Sequence, residues 1–214
     1  MKKFELTAEF VTNVFGENLF RIKALVAFGD VEKGELGGFI EKEGNLSHDG
    51  NAWVSGNAQV SGDARVSGDA RVYGNAWVSG NAWVSGNAWV SGNAQVSGDA
   101  RVYGKAWVSG NAWVSGNAWV SGNAQVSGDA RVYGNADFSV VEGFGRYFRA
   151  TTFFRCKDKI LRVQCGCFYG DLAQFREIVK KTHGDSKYAK EYLAIADLME
   201  LHFSDEEEKQ EAVE

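Results

Sequence analysis

The chain has 214 residues, 44% of them hydrophobic, with 26 glycines, no proline, three cysteines and a formal net charge of −5. That apolar share supports a packed core and excludes a globally disordered chain. Residues 1–50 carry 6 basic and 9 acidic groups, residues 51–134 carry 5 and 4, and residues 135–214 carry 12 and 15, so no segment has the electrostatic footprint of a nucleic-acid binder.

Residues 1–50 read as an N-terminal β cap. Phe4 to Val14 and Leu19 to Val26 are strand-like and flank Gly16-Glu17-Asn18, a hairpin turn. The opening MKKFELTAEFVTNVF has no apolar run long enough for a signal peptide, and no stretch reaches membrane-span length. An odd number of cysteines does not fit a secreted disulfide framework. The expected setting is a reducing cytoplasm, with no membrane partner.

From Asn51 to Gly134 the chain is a run of 14 hexapeptides of the form [N/D/K]-A-x-V-[S/Y]-G. In Asn51-Ala52-Trp53-Val54-Ser55-Gly56, strand alternation sends Ala52 and Val54 one way and Trp53 the other. Gly56 and Asn57 suit a corner, because both accept left-handed backbone. Three corners close a triangular coil of about eighteen residues. Its narrow interior admits Ala and Val, which explains why those two positions never vary.

Stacking every third hexapeptide assigns the outward residues to three faces. The first reads Trp53, Arg71, Trp89, Trp107, Gln125. The second reads Gln59, Trp77, Gln95, Trp113, Arg131. The third reads Arg65, Trp83, Arg101, Trp119. Such columns either brace the sheet surface through neighbouring-rung pairs and Arg–Trp stacking, or offer a docking surface. Trp77, Trp83, Trp89, Arg101, Trp107, Trp113 and Trp119 are therefore candidate binding residues, with self-association ahead of a foreign partner. Residues 75–104 and 105–134 differ only at Asn75 against Lys105. A block of five hexapeptides is out of step with a coil of three, so duplication moves each outward side chain to another face. A scaffold survives that step; a catalytic site needing fixed placement does not.

The pattern resembles the hexapeptide-repeat left-handed β-helix. Gly37-Gly38-Phe39-Ile40, Asn45-Leu46-Ser47 and Gly50-Asn51-Ala52-Trp53-Val54 are similar to the start of YdcK-like β-helix proteins. The resemblance implies a single-stranded left-handed solenoid and a homo-oligomer, with a trimer as the common form. Related acyltransferases place a histidine base between coils, often beside a loop that breaks the repeat. Here no loop interrupts residues 51–134 and none of the three histidines lies within them; His48, beside the first coil, is the one conceivable base.

After Gly134 the repeat decays, and Glu142-Gly143-Phe144-Gly145 reads as a linker. Ala150 to Arg155 and Ile160 to Phe168 read as two strands. A helix capped by Asp171 runs to about His183 and stops at Gly184, and a second runs from about Ser186 to His202. Phe168 and Tyr169, beside these helices, complete the candidate binding set. Gly166-Cys167-Phe168 before the first helix resembles segments of phage-encoded proteins without an assigned activity, which implies a viral origin and a bacterial host cytoplasm. Cys165 and Cys167, two apart, are read as sharing one buried strand face as small core residues. A zinc site would need Cys156, His183 and His202 as well, from distant positions. The Gly-Asn corners open no helix and so cradle no phosphate.

The expected architecture is mainly β: a β cap (1–50), a left-handed β-helix of about five coils (51–140), a small ββαα α/β domain (141–204) and an acidic disordered tail (205–214). The expected role is a non-enzymatic interaction scaffold without cofactor or metal. Its solenoid serves as an oligomerising stalk, and its C-terminal unit binds a host or phage protein, as a factor inhibiting or sequestering a host component. The alternatives are a hexapeptide acyltransferase relative and a carbohydrate-binding solenoid.

Overall fold

A computed structural model describes residues 1–204. The expected acidic tail, 205–214, lies outside the described residues. The chain opens with an antiparallel pair, β1 (Phe4–Thr12) and β2 (Asn18–Ala24), followed by β3 (Leu36–Ile40). Each hexapeptide then supplies one two-residue strand, from β4 (Trp53–Val54) to β17 (Arg131–Val132). Each strand from β4 to β14 pairs in parallel with the one eighteen residues on, as Trp89 does with Trp107 and Arg101 with Trp119. The three faces so formed hold the three outward columns expected from the sequence.

The interior is dry and uniform. Every alanine and valine of the repeat is 0–1% exposed. The corners are equally constrained. Gly86 has φ +65°, and a Cβ there would lie 3.0 Å from the Gly104 nitrogen of the next coil, so glycine is required twice over, by backbone conformation and by space.

The bonds at the corners and strand ends run one way. Asn57 N–H donates to the Gly74 carbonyl, Gln59 N–H to Ala76 and Ser61 N–H to Val78, each seventeen residues ahead. These bonds leave carbonyls without donors at the N-terminal end and N–H groups without acceptors at the C-terminal end. Exposed strand edges of this kind need partners, and the two end units supply them.

The N-terminal unit supplies donors. Residues Phe39 to Ser47 form a partial coil beneath the first full one, with Ile40 and Leu46 in the core. Phe39 N–H and Glu41 N–H donate to the Ala58 and Val60 carbonyls. The buried Asn45 amide donates to Gly62 and Ala64 carbonyls at 3.0 and 2.9 Å. Lys3 Nζ donates to Gly50 and Ala52 carbonyls at 3.3 and 2.9 Å.

The C-terminal unit supplies acceptors. Trp119 N–H donates to Asn135 Oδ1 at 2.8 Å, Gln125 N–H to Thr152 Oγ1 at 2.9 Å, and Tyr133 N–H to Asp137 Oδ2 at 2.8 Å. This unit has a four-stranded antiparallel sheet rather than two strands: β18 (Phe138–Val141), β19 (Thr151–Arg155), β20 (Leu161–Cys165) and β21 (Phe168–Asp171). Two helices follow, α1 (Leu172–His183), capped by Asp171 as expected, and α2 (Lys187–His202). Strand β18, whose residues 138–140 were expected at the end of the solenoid, pairs with β19 instead. Alternation along β19 joins the two cores: Phe154 closes the solenoid interior, and Phe153 packs with Phe175 of α1.

One expectation is corrected here. Cys165-Gly166-Cys167 is not a strand segment with both cysteines on a buried face. Cys165 pairs with Phe168 across a two-residue turn formed by Gly166 and Cys167. Gly166 has φ +60°, as a type II′ hairpin requires at its first central position. Cys165 is half-buried and Cys167 exposed.

Two outcomes follow from the caps. The aromatic and hydrogen-bond contacts of the caps reach Trp77 at one end and begin at Trp119 at the other, and removing residues 75–104 brings Trp107 to the place of Trp77. Deleting residues 75–104 should therefore give a folded, shorter solenoid with both caps seated. Its strand signal by circular dichroism should persist while its urea midpoint falls with the lost coils; an unfolded product would contradict modular capping. Burial, then the nearby Arg71 charge, lowers the Lys3 pKa from 10.5 to about 8. Between those values the unfolded chain holds a proton that the folded protein has released, so this contribution to stability rises with pH. The urea-stability gap between the native protein and Lys3→Met should grow in favour of the native protein from about pH 7.5 to about pH 9.5; a constant gap would contradict it.

Candidate interaction surfaces

The outward side chains meet their vertical neighbours as cross-strand pairs. On the third face Arg101 lies over both indoles of its column, 4.9 Å from Trp119 and 5.9 Å from Trp83. On the second, Arg131 lies 5.5 Å from Trp113. On the first, Trp89 and Trp107 meet edge-to-face at 5.4 Å, and Tyr73 adds a further edge to Trp89 at 6.1 Å. Corner asparagines form a parallel ladder, with Asn75 donating to Asn93 and Asn93 to Asn111.

The faces differ in how much of them is free. The N-terminal unit covers the first indole of two columns. Trp53 is only 2% exposed, beneath Phe28 at 5.4 Å. Trp77 packs against Phe15 of the hairpin tip at 5.6 Å. The Nε1 atoms of Trp53 and Trp77 are buried without a hydrogen-bond partner among the described residues, so these contacts form despite a polar cost. On the third face Trp83 and Trp119 are 44% and 47% exposed, with Trp83 beside a cleft that Glu43 to Asp49 share with Arg65. Trp83, Arg101 and Trp119, with Tyr103, line a shallow cavity of about 200 Å³. Trp89, Trp107 and Trp113 are also exposed.

These columns sit on repeats of a recognisable type. A family model described as the YdcK beta solenoid repeat matches residues 58–74, 64–80, 70–86, 76–92, 94–110, 106–122 and 124–136. Residues 58–136 are thus similar to YdcK β-solenoid repeats. A search of curated proteins finds no match.

The other candidates lie beyond the YdcK-type repeats, and the structure separates them. Phe168 is half-buried against Phe175 at 5.6 Å. Its neighbour Tyr169 points to the opposite sheet face, over the solenoid end. There its ring is 6.4 Å from that of Phe154, and its hydroxyl is 3.8 Å from Cys156 Sγ. Burial first, then Cys156, pushes the Tyr169 pKa up to about 12, and burial likewise raises the Cys156 thiol. His48 is held on both sides: Lys3 N–H donates to Nδ1 at 3.1 Å, and Nε2 lies 2.8 Å from Glu43 Oε1. With Nδ1 accepting, the proton resides on Nε2. The ring also stacks on Phe4 at 4.4 Å.

Sequence reasoning missed one cluster. The segment 144–149 passes over α1, and its Arg146 and Arg149 overhang a cavity lined by Phe168, Phe175, His183 and Tyr192. The available signal was Gly-Phe-Gly-Arg-Tyr-Phe-Arg, which interleaves aromatics with cations inside what reads as a linker.

Burial decides what each tryptophan contributes. Trp53→Ala should cost about 3–5 kcal/mol, as for buried aromatics, and Trp89→Ala about 1 kcal/mol, from edge contacts alone. Urea denaturation checks the contrast; equal losses would contradict the assigned cover over Trp53.

Proposed function

We propose that this protein is a non-enzymatic interaction scaffold. Its solenoid is a rigid stalk that self-associates, with a trimer as the expected form, and its C-terminal unit binds the functional partner. The observation that supports this reading is the uncovered third face. The flanking units bury or overlay the first indole of the other two columns and leave Trp83, Arg101 and Trp119 open along the stalk. Exposed aromatic-and-arginine patches are the compositional mark of protein contact surfaces. For a phage-encoded chain acting in a bacterial cytoplasm, the partner is a host component that the C-terminal unit blocks or sequesters.

Two specific observations weigh on the rivals. An acyltransferase-like base needs a histidine nitrogen free to take a proton, and both nitrogens of His48 are engaged. A sugar platform needs a bare indole face, whereas Arg101 lies over both indoles of the third column. Among the described residues no helix is long and apolar enough to cross a membrane, in keeping with a protein partner.

The double variant Trp83→Ala/Trp119→Ala tests the stalk. Light scattering coupled to size exclusion should show the native oligomer falling to monomer at equal concentration. An unchanged oligomer with only a lower melting temperature would mean that the columns brace the surface and nothing more.

A further inference from the structure

The C-terminal unit contains a cavity of about 210 Å³ between the 144–149 segment, the β20–β21 turn and α1. Its floor is apolar and aromatic, from Phe168, Phe175, Val179 and the buried Tyr192. Its rim carries two guanidinium groups, Arg146 and Arg149, and the His183 imidazole, with no carboxylate in the lining. Among the described residues Arg146 and Arg149 have no ion-pair partner. Each instead lies over Tyr147, at 5.5 and 5.0 Å from its ring centre.

The backbone is shaped to hold that arrangement. Phe148 has φ +52°, a left-handed conformation uncommon for an aromatic residue, and it turns the chain between Tyr147 and Arg149. Gly145 N–H is anchored to Glu191 Oε2 at 2.9 Å. A side chain at Gly145 would collide with the Tyr192 hydroxyl, and one at Gly166 would meet the Arg149 guanidinium at 2.7 Å. The two glycines thus let the arginine-bearing loop close down on the pocket.

The geometry points to a binding site for a small organic anion with a flat apolar body, of the aryl phosphate or aryl carboxylate class. Arginine recognises such headgroups through paired N–H donors, and the ring stack on the floor takes the apolar part. The volume is below that of a drug-sized pocket, which limits the ligand to about one ring and its anionic group. This deepens the proposal that the C-terminal unit is the binding module by naming the ligand class.

Phenyl phosphate is the probe, with inorganic phosphate and phenol as its two halves, titrated calorimetrically into the full chain. Phenyl phosphate should bind at least about tenfold more tightly than either half. Arg146→Gln/Arg149→Gln should weaken it by about tenfold or more and leave phenol binding unchanged. Both arginines are exposed, so the variant should keep the native circular dichroism spectrum. No binding of phenyl phosphate at millimolar concentration, or equal binding by the glutamine variant, would overturn the site. Oligomer mass is measured separately, so loss of this site and loss of the stalk are distinguishable.

Discussion

The structure depends on the ladder of backbone hydrogen bonds between successive coils, whose corner and strand-end bonds point one way along the solenoid. Along the middle coils the corner, outward and serine N–H groups donate forward to glycine, alanine and valine carbonyls. A stack built on this rule repeats without limit and has two chemically different ends. The N-terminal unit answers carbonyls with an ammonium, a buried amide and backbone N–H groups. The C-terminal unit answers N–H groups with carboxylates, an amide oxygen and a hydroxyl.

The same rule frees the outer surface. Inward positions are restricted to Ala and Val by a lumen with no spare volume, and corners to Gly by contact with the next coil. The outward position varies most, and the chain spends it on Trp, Arg and Gln. Duplication of a five-hexapeptide block rearranges those residues among faces without disturbing core or corner. A surface made this way favours recognition by area over chemistry at a point, and it separates stalk from site: varied, converging side chains occur in the C-terminal unit.

Periodic parts of the molecule were legible in the sequence. The eighteen-residue stacking, the buried Ala and Val, and the membership of each outward column follow from a repeat of six and a closure of three. The helix limits followed from Asp171 and Gly184. The rest depended on long-range packing that no local pattern records. Alternation through Ile160 to Phe168 masked a hairpin, because the two-residue turn at Gly166-Cys167 keeps the alternation in phase; the glycine was the sole cue. Phe15 and Phe28 gave no sign that they cover Trp77 and Trp53. Phe168 and Tyr169, adjacent in sequence, were read together but serve opposite faces of one sheet. The Arg146–Arg149 loop passed as a linker because its role depends on α1, which lies more than twenty residues away.

The most direct test of a self-associating stalk is native mass spectrometry of the purified full chain across micromolar concentrations. A discrete homo-oligomer, trimeric in the simplest arrangement of three-sided rods, is the expected result. A monomer at every concentration would contradict self-association and leave the indole columns as braces of an isolated rod.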